Sequence, residues 1–348
     1  MKPAQPPIVK ISSPADIVAA IPSFVGFHPG ESLVVMCLHG RRRRSGLTMR
    51  ADLPTPPHYS PYAADLARRA AKTRADGAFL VCYTAEPDAG ADLPRCDLIE
   101  CQVQALRTHG VDVVEALLVR DDRWWSYTCT RECCPREGTL LPASPGREVA
   151  RLEAERVLRG RSVLASRDQL EASVSGPHRQ RRTALEQVFD RVADSFAAEL
   201  DHDGSDSVCA ATVALARSAL DRRAEGRGDI EDAEAARIVI GLHDKLARDE
   251  LITWALDRDA GELITFLVEL AQRALDEFAA PVCTVLAAVA YQDGEGALAA
   301  VALERVFRSN PGYEMAGLLA SMLDEQVTPS QLRALMRRVR RDLRPRAS

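Results

Sequence analysis

Residues 77–84 read GAFLVCYT, and residues 111–119 read VDVVEALLV. Both are short apolar runs with β-branched side chains, which is typical of buried strands. Between them, residues 92–109 carry apolar side chains at helical spacing and stop before Gly110. A strand, a helix and a second strand in this order predict two parallel strands joined by a covering helix.

The preceding segment adds two more strands and a second helix. Residues 32–39 (SLVVMCLH) and 47–53 (LTMRADL) flank the polar turn at residues 40–46, which predicts a hairpin. Residues 59–74 show helical spacing. We therefore predict an α/β fold that begins with a mixed β-sheet covered by helices.

A short helix is predicted at the start of this region. Ser13 is a residue type that caps helices, Pro14 suits the first helical position, and Asp16 stands three residues after the cap. The helix is expected to run to about Ile21 and to end at Pro22 and Gly26.

Strand signals disappear after residue 145, where Ala, Leu, Arg and Glu dominate in runs broken by short polar turns. Two of the predicted helices cover residues 178–200 and 207–224, and another covers residues 329–343. We expect an α/β domain at residues 8–145 and an all-helical domain, a bundle or solenoid-like stack, at residues 146–345.

A terminal helical hairpin is expected near the end of the chain. Five residues there partly match the tetratricopeptide (TPR) spacing: Ala287, Ala299, Leu303, Val306 and Pro311. Stable arrays need about three copies, and the sequence shows one. The pattern therefore predicts a TPR-like hairpin rather than a peptide-binding groove.

Composition and charge exclude several classes of protein. Of the 348 residues, 46% are hydrophobic and 27% are charged, which is typical of globular proteins. No apolar run is long enough for a membrane helix, the N-terminus lacks a secretory pattern, and the nine cysteines are scattered. We expect a cytoplasmic protein without a disulfide framework.

The basic residues are 41 Arg and only 4 Lys, a ratio that indicates a GC-rich coding sequence. Residues 1–145 carry 17 basic and 16 acidic groups, so their net charge is +1, whereas residues 146–348 carry 28 and 34, a net charge of −6. Neither half has the bulk charge of a polyanion-binding protein.

Several motifs spread over almost the whole chain resemble the actinobacterial domain-of-unknown-function family numbered 4192. They are ISSPADI (residues 11–17), PSFVGFHPGESLVV (22–35), RADLP (50–54), WWSY (124–127), CCP (133–135), GEGALA (294–299) and NPGY (310–313). The resemblance implies a cytosolic protein from a GC-rich bacterium. It implies no reaction, ligand or catalytic residue.

A loop with acid–base side chains precedes the first strand. His28, Glu31 and Ser32 lie within five residues, and Asp16 and Asp52 are expected at neighbouring edges. These residue types perform general acid–base chemistry, and strand ends are where α/β folds bind ligands. The alternative is a solvated turn, because no nucleophile elbow, Walker loop or dinucleotide fingerprint is present.

Cys129, Cys133 and Cys134 form the densest thiol cluster. They are weak candidates for a soft metal such as zinc, with Cys96, Cys101 or His109 as a fourth ligand. Their spacing differs from a zinc knuckle and lacks the CxxC of redox proteins, so a structural role is favoured and no cofactor is predicted.

Two Arg-rich elements are candidate contacts for nucleic acid. Residues 41–44 are four consecutive arginines at the predicted hairpin tip, and the helix at 329–343 carries an apolar stripe beside many arginines. A solvated turn and a helix docked on its own bundle are the favoured interpretations, so nucleic acid is not the expected partner.

The sequence leaves three function classes open. The favoured class is a non-catalytic interaction or regulatory protein that binds a protein partner or a small molecule. The alternatives are an enzyme with a pocket near His28, Glu31 and Asp52, and a nucleic-acid-associated protein that uses the Arg-rich elements. Whether the protein is an enzyme is undecided by sequence.

Overall fold

The computed structural model describes residues 13–343 except 89, 91 and 130–133. The chain divides into two compact units after Arg167. The sequence placed the domain boundary at residues 145/146. The helix at Arg147–Leu158 packs against the helix at Pro14–Val25, so the first unit continues past that point.

The first unit combines a sheet with helices. Its elements are α1 (Pro14–Val25), β1 (Ser32–His39), β2 (Arg44–Asp52), α2 (Tyr59–Lys72), β3 (Gly77–Tyr83), α3 (Cys96–Thr108), β4 (Asp112–Arg120), β5 (Arg123–Ser126), β6 (Thr139–Leu140) and α4 (Arg147–Leu158).

The strands form one mixed sheet in the order β2-β1-β3-β4-β5-β6. Only β3 and β4 are parallel, while the other neighbours are antiparallel. The predicted mixed sheet with covering helices is confirmed. Leu66 and Ala70 of α2 and Leu106 of α3 pack with Leu33 and Leu80 of the sheet, so α2 and α3 cover one face.

Strands β5 and β6 were not predicted. The turn between β4 and β5 consists of Asp121 and Asp122, both in the left-handed region with φ of 49° and 57°. Two-residue hairpin turns with positive φ at both residues usually contain Asn-Gly or Asp-Gly. An Asp-Asp pair therefore does not predict a hairpin from sequence. Trp124 and Trp125, which follow the turn, lie in β5.

Helix α1 is longer than the sequence predicts. Ser13 and Asp16 form the predicted capping box, but the helix continues through Pro22 to Val25. Ile21, Pro22 and Val25 are buried, and this packing outweighs the hydrogen bond that proline removes. Gly26 then closes the helix in the left-handed conformation, with φ of 84°.

The described residues of the second unit form helices joined by turns, with no strand among them. Its helices are α5 (Arg167–Ser173, beginning at the boundary), α6 (Arg179–Ala224), α7 (Asp232–Gly241), α8 (Lys245–Thr253), α9 (Ala260–Arg273), α10 (Asp276–Gln292), α11 (Gly296–Ser309), α12 (Glu314–Asp324) and α13 (Pro329–Leu343). Helix α6 contains a break at Gly204, with φ of 79° and ψ of 164°, between the two helices that the sequence predicted there.

Helix α10 is the centre of this unit. It is apolar on all sides and packs against α7, α8, α9, α11, α12 and α13. Helices α10 and α11 form the expected terminal hairpin. The guanidinium of Arg305 on α11 is buried and donates to the carbonyl oxygens of Val174, Ala271 and Ala274 at 2.6, 2.5 and 2.7 Å.

Within the described residues, no helix is both long enough and apolar enough to cross a membrane. Cys37, Cys82 and Cys283 are buried free thiols, and the free thiol Cys209 is half-buried. These thiols pack as small apolar side chains.

Candidate functional site

The strand ends that the sequence singled out do meet at one edge of the sheet. Ser32 at the start of β1 pairs with both Asp52 at the end of β2 and Tyr83 at the end of β3. Tyr83 is also in register with Val119 near the end of β4. This edge therefore combines the carboxyl ends of the two parallel strands, where α/β folds place ligand sites. We call it the carboxyl edge.

Glu31 holds this edge together. Its carboxylate accepts hydrogen bonds from the Thr84 hydroxyl at 3.0 Å and from the Ala85 backbone N–H at 2.6 Å. The Glu31 carbonyl oxygen accepts from the Leu53 N–H at 3.2 Å. Both carboxylate oxygens are thus used to fix the segment that follows β3.

The other acid–base candidates lie near Glu31 but do not form a connected group. His28 is exposed, and the exposed Asp52 carboxylate pairs with Arg50 at 2.7 Å. Asp16 serves the cap of α1, and Ser32 is buried. Among the described residues, no hydrogen bond or ion pair joins the side chains of His28, Glu31 and Asp52 to one another.

A surface pocket opens at the same edge, where α2 and α3 begin. Its volume is about 430 Å³. It is lined by Thr55, Pro56, Tyr59, Glu86, Asp92, Leu93, Arg95, Cys96 and Asp97. The volume lies within the range of small-molecule sites, about 300–1,000 Å³.

Arg95 organises the wall of this pocket. Its Nη1 donates to the Pro54 carbonyl oxygen at 2.9 Å and to the Tyr59 hydroxyl at 3.1 Å, and its Nη2 donates to Glu86 Oε1 at 2.5 Å. Partial burial favours the neutral form of Arg95, but the hydrogen bonds with Tyr59 and Glu86 outweigh this and hold its pKa above the usual value. The guanidinium therefore joins three segments as a permanent cation.

Carboxylates dominate the charge of the pocket. Arg95 is the one cation among the described lining residues and is already paired with Glu86. Asp92 and Asp97 are exposed and have no described cation within ion-pair distance. Burial, and then the neighbouring carboxylates with Asp92 first among them, raise the pKa of the Cys96 thiol. The pocket is thus electronegative, and its thiol is kept protonated.

The candidate metal cluster is only partly described. Cys133 lies outside the described residues, while Cys129 and Cys134 are half-buried. Within the described part of the chain, no three His, Cys, Asp or Glu side chains are grouped to hold a metal ion. The three-thiol zinc site therefore stays the less favoured alternative to a structural role for these cysteines.

The Arg-rich elements differ in their surroundings. Leu332 and Met336 of α13 are buried, and α13 packs on α8 and α10, so its apolar stripe docks within the helical unit as expected. Arg340 and Arg333 of this helix pair with Asp257 and Asp293. The arginines at residues 41–44 are exposed at the tip of the β1–β2 hairpin.

Sequence reasoning found this edge of the sheet but missed the pocket residues themselves. Tyr59 and Arg95 are 36 residues apart in the chain and meet only in the fold. The signal that could have indicated them is the polar cluster Asp92, Arg95 and Asp97 just before and within the first turn of α3. Segments of this kind, which follow parallel strands, line ligand sites.

Comparison with protein families identifies a match over most of the chain. The model of a family described as Domain of unknown function (DUF4192) matches residues 14–330. No curated protein and no solved structure matches the chain.

Proposed function

The chain belongs to the Domain of unknown function family DUF4192, and from the geometry of its carboxyl edge we propose that it is a non-catalytic binding protein for a small organic cation. The observation that carries this proposal is the pocket in which Asp92 and Asp97 have no described cationic partner. A ligand with an ammonium or guanidinium group would supply the missing positive charge.

Electrostatics favour a cation over an anion in this pocket. Glu86, Asp92 and Asp97 contribute three negative charges, against one positive charge from Arg95. Asp97 also lies in the first turn of α3, where a carboxylate complements the positive end of the helix dipole. An anionic ligand would therefore meet repulsion without an unused cation to bind it.

A binding role fits the side chains better than catalysis does. Both oxygens of Glu31 are occupied by hydrogen bonds from Thr84 and Ala85, which leaves this carboxylate to hold the backbone. The Cys96 thiol is kept protonated, whereas nucleophilic catalysis requires the thiolate. The ligand is expected to be bound and released unchanged, as in a regulatory protein.

The proposal includes a reducing, cytoplasmic location. Cys37, Cys82 and Cys283 are among the free thiols of the described chain. Scattered free cysteines are typical of proteins from reducing compartments. The strong preference for Arg over Lys also supports origin in a GC-rich actinobacterium.

The expected affinity is modest because the carboxylates are exposed. Exposed ion pairs contribute about 0–1 kcal/mol each, so the two pairs of a dication give at most about 2 kcal/mol, which corresponds to a dissociation constant of about 30 mM or weaker. Binding should weaken as salt is added.

The proposal can be tested by titrating the full chain with agmatine, which carries a guanidinium and an ammonium group, and with glutarate, a dianion of similar length. NMR chemical shifts or calorimetry at low salt should show binding of agmatine alone. The double variant Asp92→Asn/Asp97→Asn should weaken agmatine binding about tenfold. The control is Asp112→Asn, an exposed carboxylate at the opposite edge of the sheet, which should bind agmatine like the wild type.

Two results would refute the proposal. One is glutarate binding as tightly as agmatine. The other is unchanged agmatine affinity in the double variant, provided that its thermal unfolding matches that of the wild type.

A further inference from the structure

The edge of the sheet opposite the pocket is strongly basic. The β1–β2 hairpin tip, with Arg41–Arg44, lies at this edge because Leu38 near the end of β1 pairs with Gly77 at the start of β3. Arg74 precedes β3, and Arg107 lies near the end of α3, before β4. We call these six arginines the basic edge.

Hydrogen bonds fix the segments of the basic edge to one another. The Gly40 N–H donates to Asp76 Oδ2 at 2.5 Å, which ties the hairpin to the residues before β3. The Asp112 N–H donates to the Asp76 carbonyl oxygen at 3.2 Å, which ties in the start of β4. The arginines therefore lie on one fixed surface at the ends of the neighbouring strands β2, β1, β3 and β4. At the usual spacing between strands, this surface is about 15 Å wide.

The six arginines are exposed and have no carboxylate of the described chain within ion-pair distance. The nearest acidic residues of this edge are Asp76, whose carboxylate accepts from Gly40, and the exposed Asp112. Elsewhere the arginines are commonly paired, as in Arg222 with Glu234 and Arg223 with Glu269, both at 2.5 Å. The chain therefore concentrates unpaired positive charge at this edge, although its net charge is −5.

Two of these arginines occupy backbone conformations that favour glycine. Arg43 has φ of 46° and Arg74 has φ of 58°. A left-handed conformation costs a non-glycine residue about 1–2 kcal/mol. Arginine thus occupies two positions of this edge where glycine would be less strained.

The helix dipole explains only part of the basic edge. Arg107 lies in the last turn of α3, where a cation stabilises the negative end of the helix. The four hairpin arginines follow a strand and gain nothing from a helix terminus. The helix dipole therefore does not account for their charge.

We infer that the basic edge binds duplex nucleic acid through the phosphate backbone. Arginine forks donate paired hydrogen bonds to phosphate oxygens, and several cations on one rigid surface can contact consecutive phosphates. Residues 40–46 contain no aromatic side chain for stacking on unpaired bases, which favours a duplex over a single strand. The same residues offer almost no apolar surface for insertion into a membrane.

Binding should be independent of base sequence and strongly dependent on salt. Each phosphate neutralised contributes about −0.9 to the slope of log K against log salt on B-form DNA. Fluorescence anisotropy of a labelled duplex with the full chain, from about 50 mM to about 200 mM salt, measures this slope. We expect a slope of about −4 to −5 if most of the basic edge makes contact.

Variants of the hairpin arginines test their binding to phosphates separately from their effect on the stability of the fold. The triple variant Arg41→Gln/Arg42→Gln/Arg44→Gln should reduce the slope by about three. Arg43→Gly should weaken binding while raising the unfolding temperature, because glycine adopts the left-handed conformation without strain. The control is Arg337→Gln/Arg338→Gln/Arg341→Gln, which removes exposed arginines of α13 and should leave binding unchanged.

Three results would overturn the inference: no duplex binding at about 50 mM salt, equal loss in the α13 control, or competition by polyglutamate as strong as that by unlabelled duplex. The last result would indicate an acidic protein partner instead. Because the pocket lies at the opposite edge, Asp92→Asn/Asp97→Asn should leave duplex binding intact, so failure of the pocket proposal and failure of this one are distinguishable.

Discussion

The Glu31 carboxylate accepts the Ala85 backbone N–H at 2.6 Å, although the two residues are 54 positions apart. This bond joins the turn before β1 to the segment that follows β3. Ala85 is followed by Glu86, which lines the pocket and pairs with Arg95. The pocket wall therefore depends on a carboxylate that does not line the pocket.

Replacing Glu31 with glutamine should lower the free energy of unfolding by about 1–2 kcal/mol. The amide oxygen can still accept from the Ala85 N–H, and the NH2 group can donate to the Thr84 hydroxyl, but these neutral hydrogen bonds are weaker than those of the carboxylate. Urea denaturation measures the loss. The control is Asp52→Asn at the same edge, where the exposed ion pair with Arg50 should contribute less than about 1 kcal/mol. Equal losses in the two variants would contradict a structural role for Glu31.

Replacing Arg305 with methionine should cost about 3 kcal/mol or more. Methionine fills much of the volume but leaves the carbonyl oxygens of Val174, Ala271 and Ala274 without their donor inside the helical unit. Chemical denaturation followed by circular dichroism measures the change. Arg308→Met, an exposed position one turn further along α11, should change stability by less than about 0.5 kcal/mol.

Arg305→Lys gives an intermediate test of the same bonds. Lysine keeps the charge but cannot present the planar fork that reaches several carbonyl oxygens. Its stability should fall between those of the wild type and Arg305→Met. A lysine variant as stable as the wild type would show that charge alone, rather than the guanidinium geometry, stabilises this site.

The buried thiols should make the fold sensitive to high pH. Burial raises the pKa of Cys37, Cys82 and Cys283 to about 11, from an ordinary value of about 9. Between these values the unfolded chain releases protons that the folded chain retains. Stability from these thiols is therefore complete below about pH 9 and is lost as pH rises through about pH 11.

Urea unfolding at several pH values between about 8 and 11 measures this loss. Cys283→Ala should be less stable than the wild type at the lower end, because it leaves a small cavity. Its stability should then fall less steeply with pH, since one titrating thiol has been removed. Parallel pH profiles for the two proteins would contradict the assignment.

Local patterns predicted the helices well. The capping box of Ser13 and Asp16 acts within one turn, and the apolar stripe that ends at Leu343 lies within one helix. Such signals are visible in a single stretch of chain. Strand β5 was missed because its turn uses Asp121 and Asp122 in place of the usual glycine.

The sequence by itself determined the mixed α/β beginning and the helical continuation, because hydrophobic periodicity selects strand or helix locally. It also indicated the edge of the sheet at which His28, Glu31 and Asp52 lie. Only the tertiary structure decided that Arg95 joins Pro54, Tyr59 and Glu86 around a pocket, and that unpaired arginines gather at the opposite edge. These arrangements depend on contacts between residues up to about 40 positions apart, which no local pattern records.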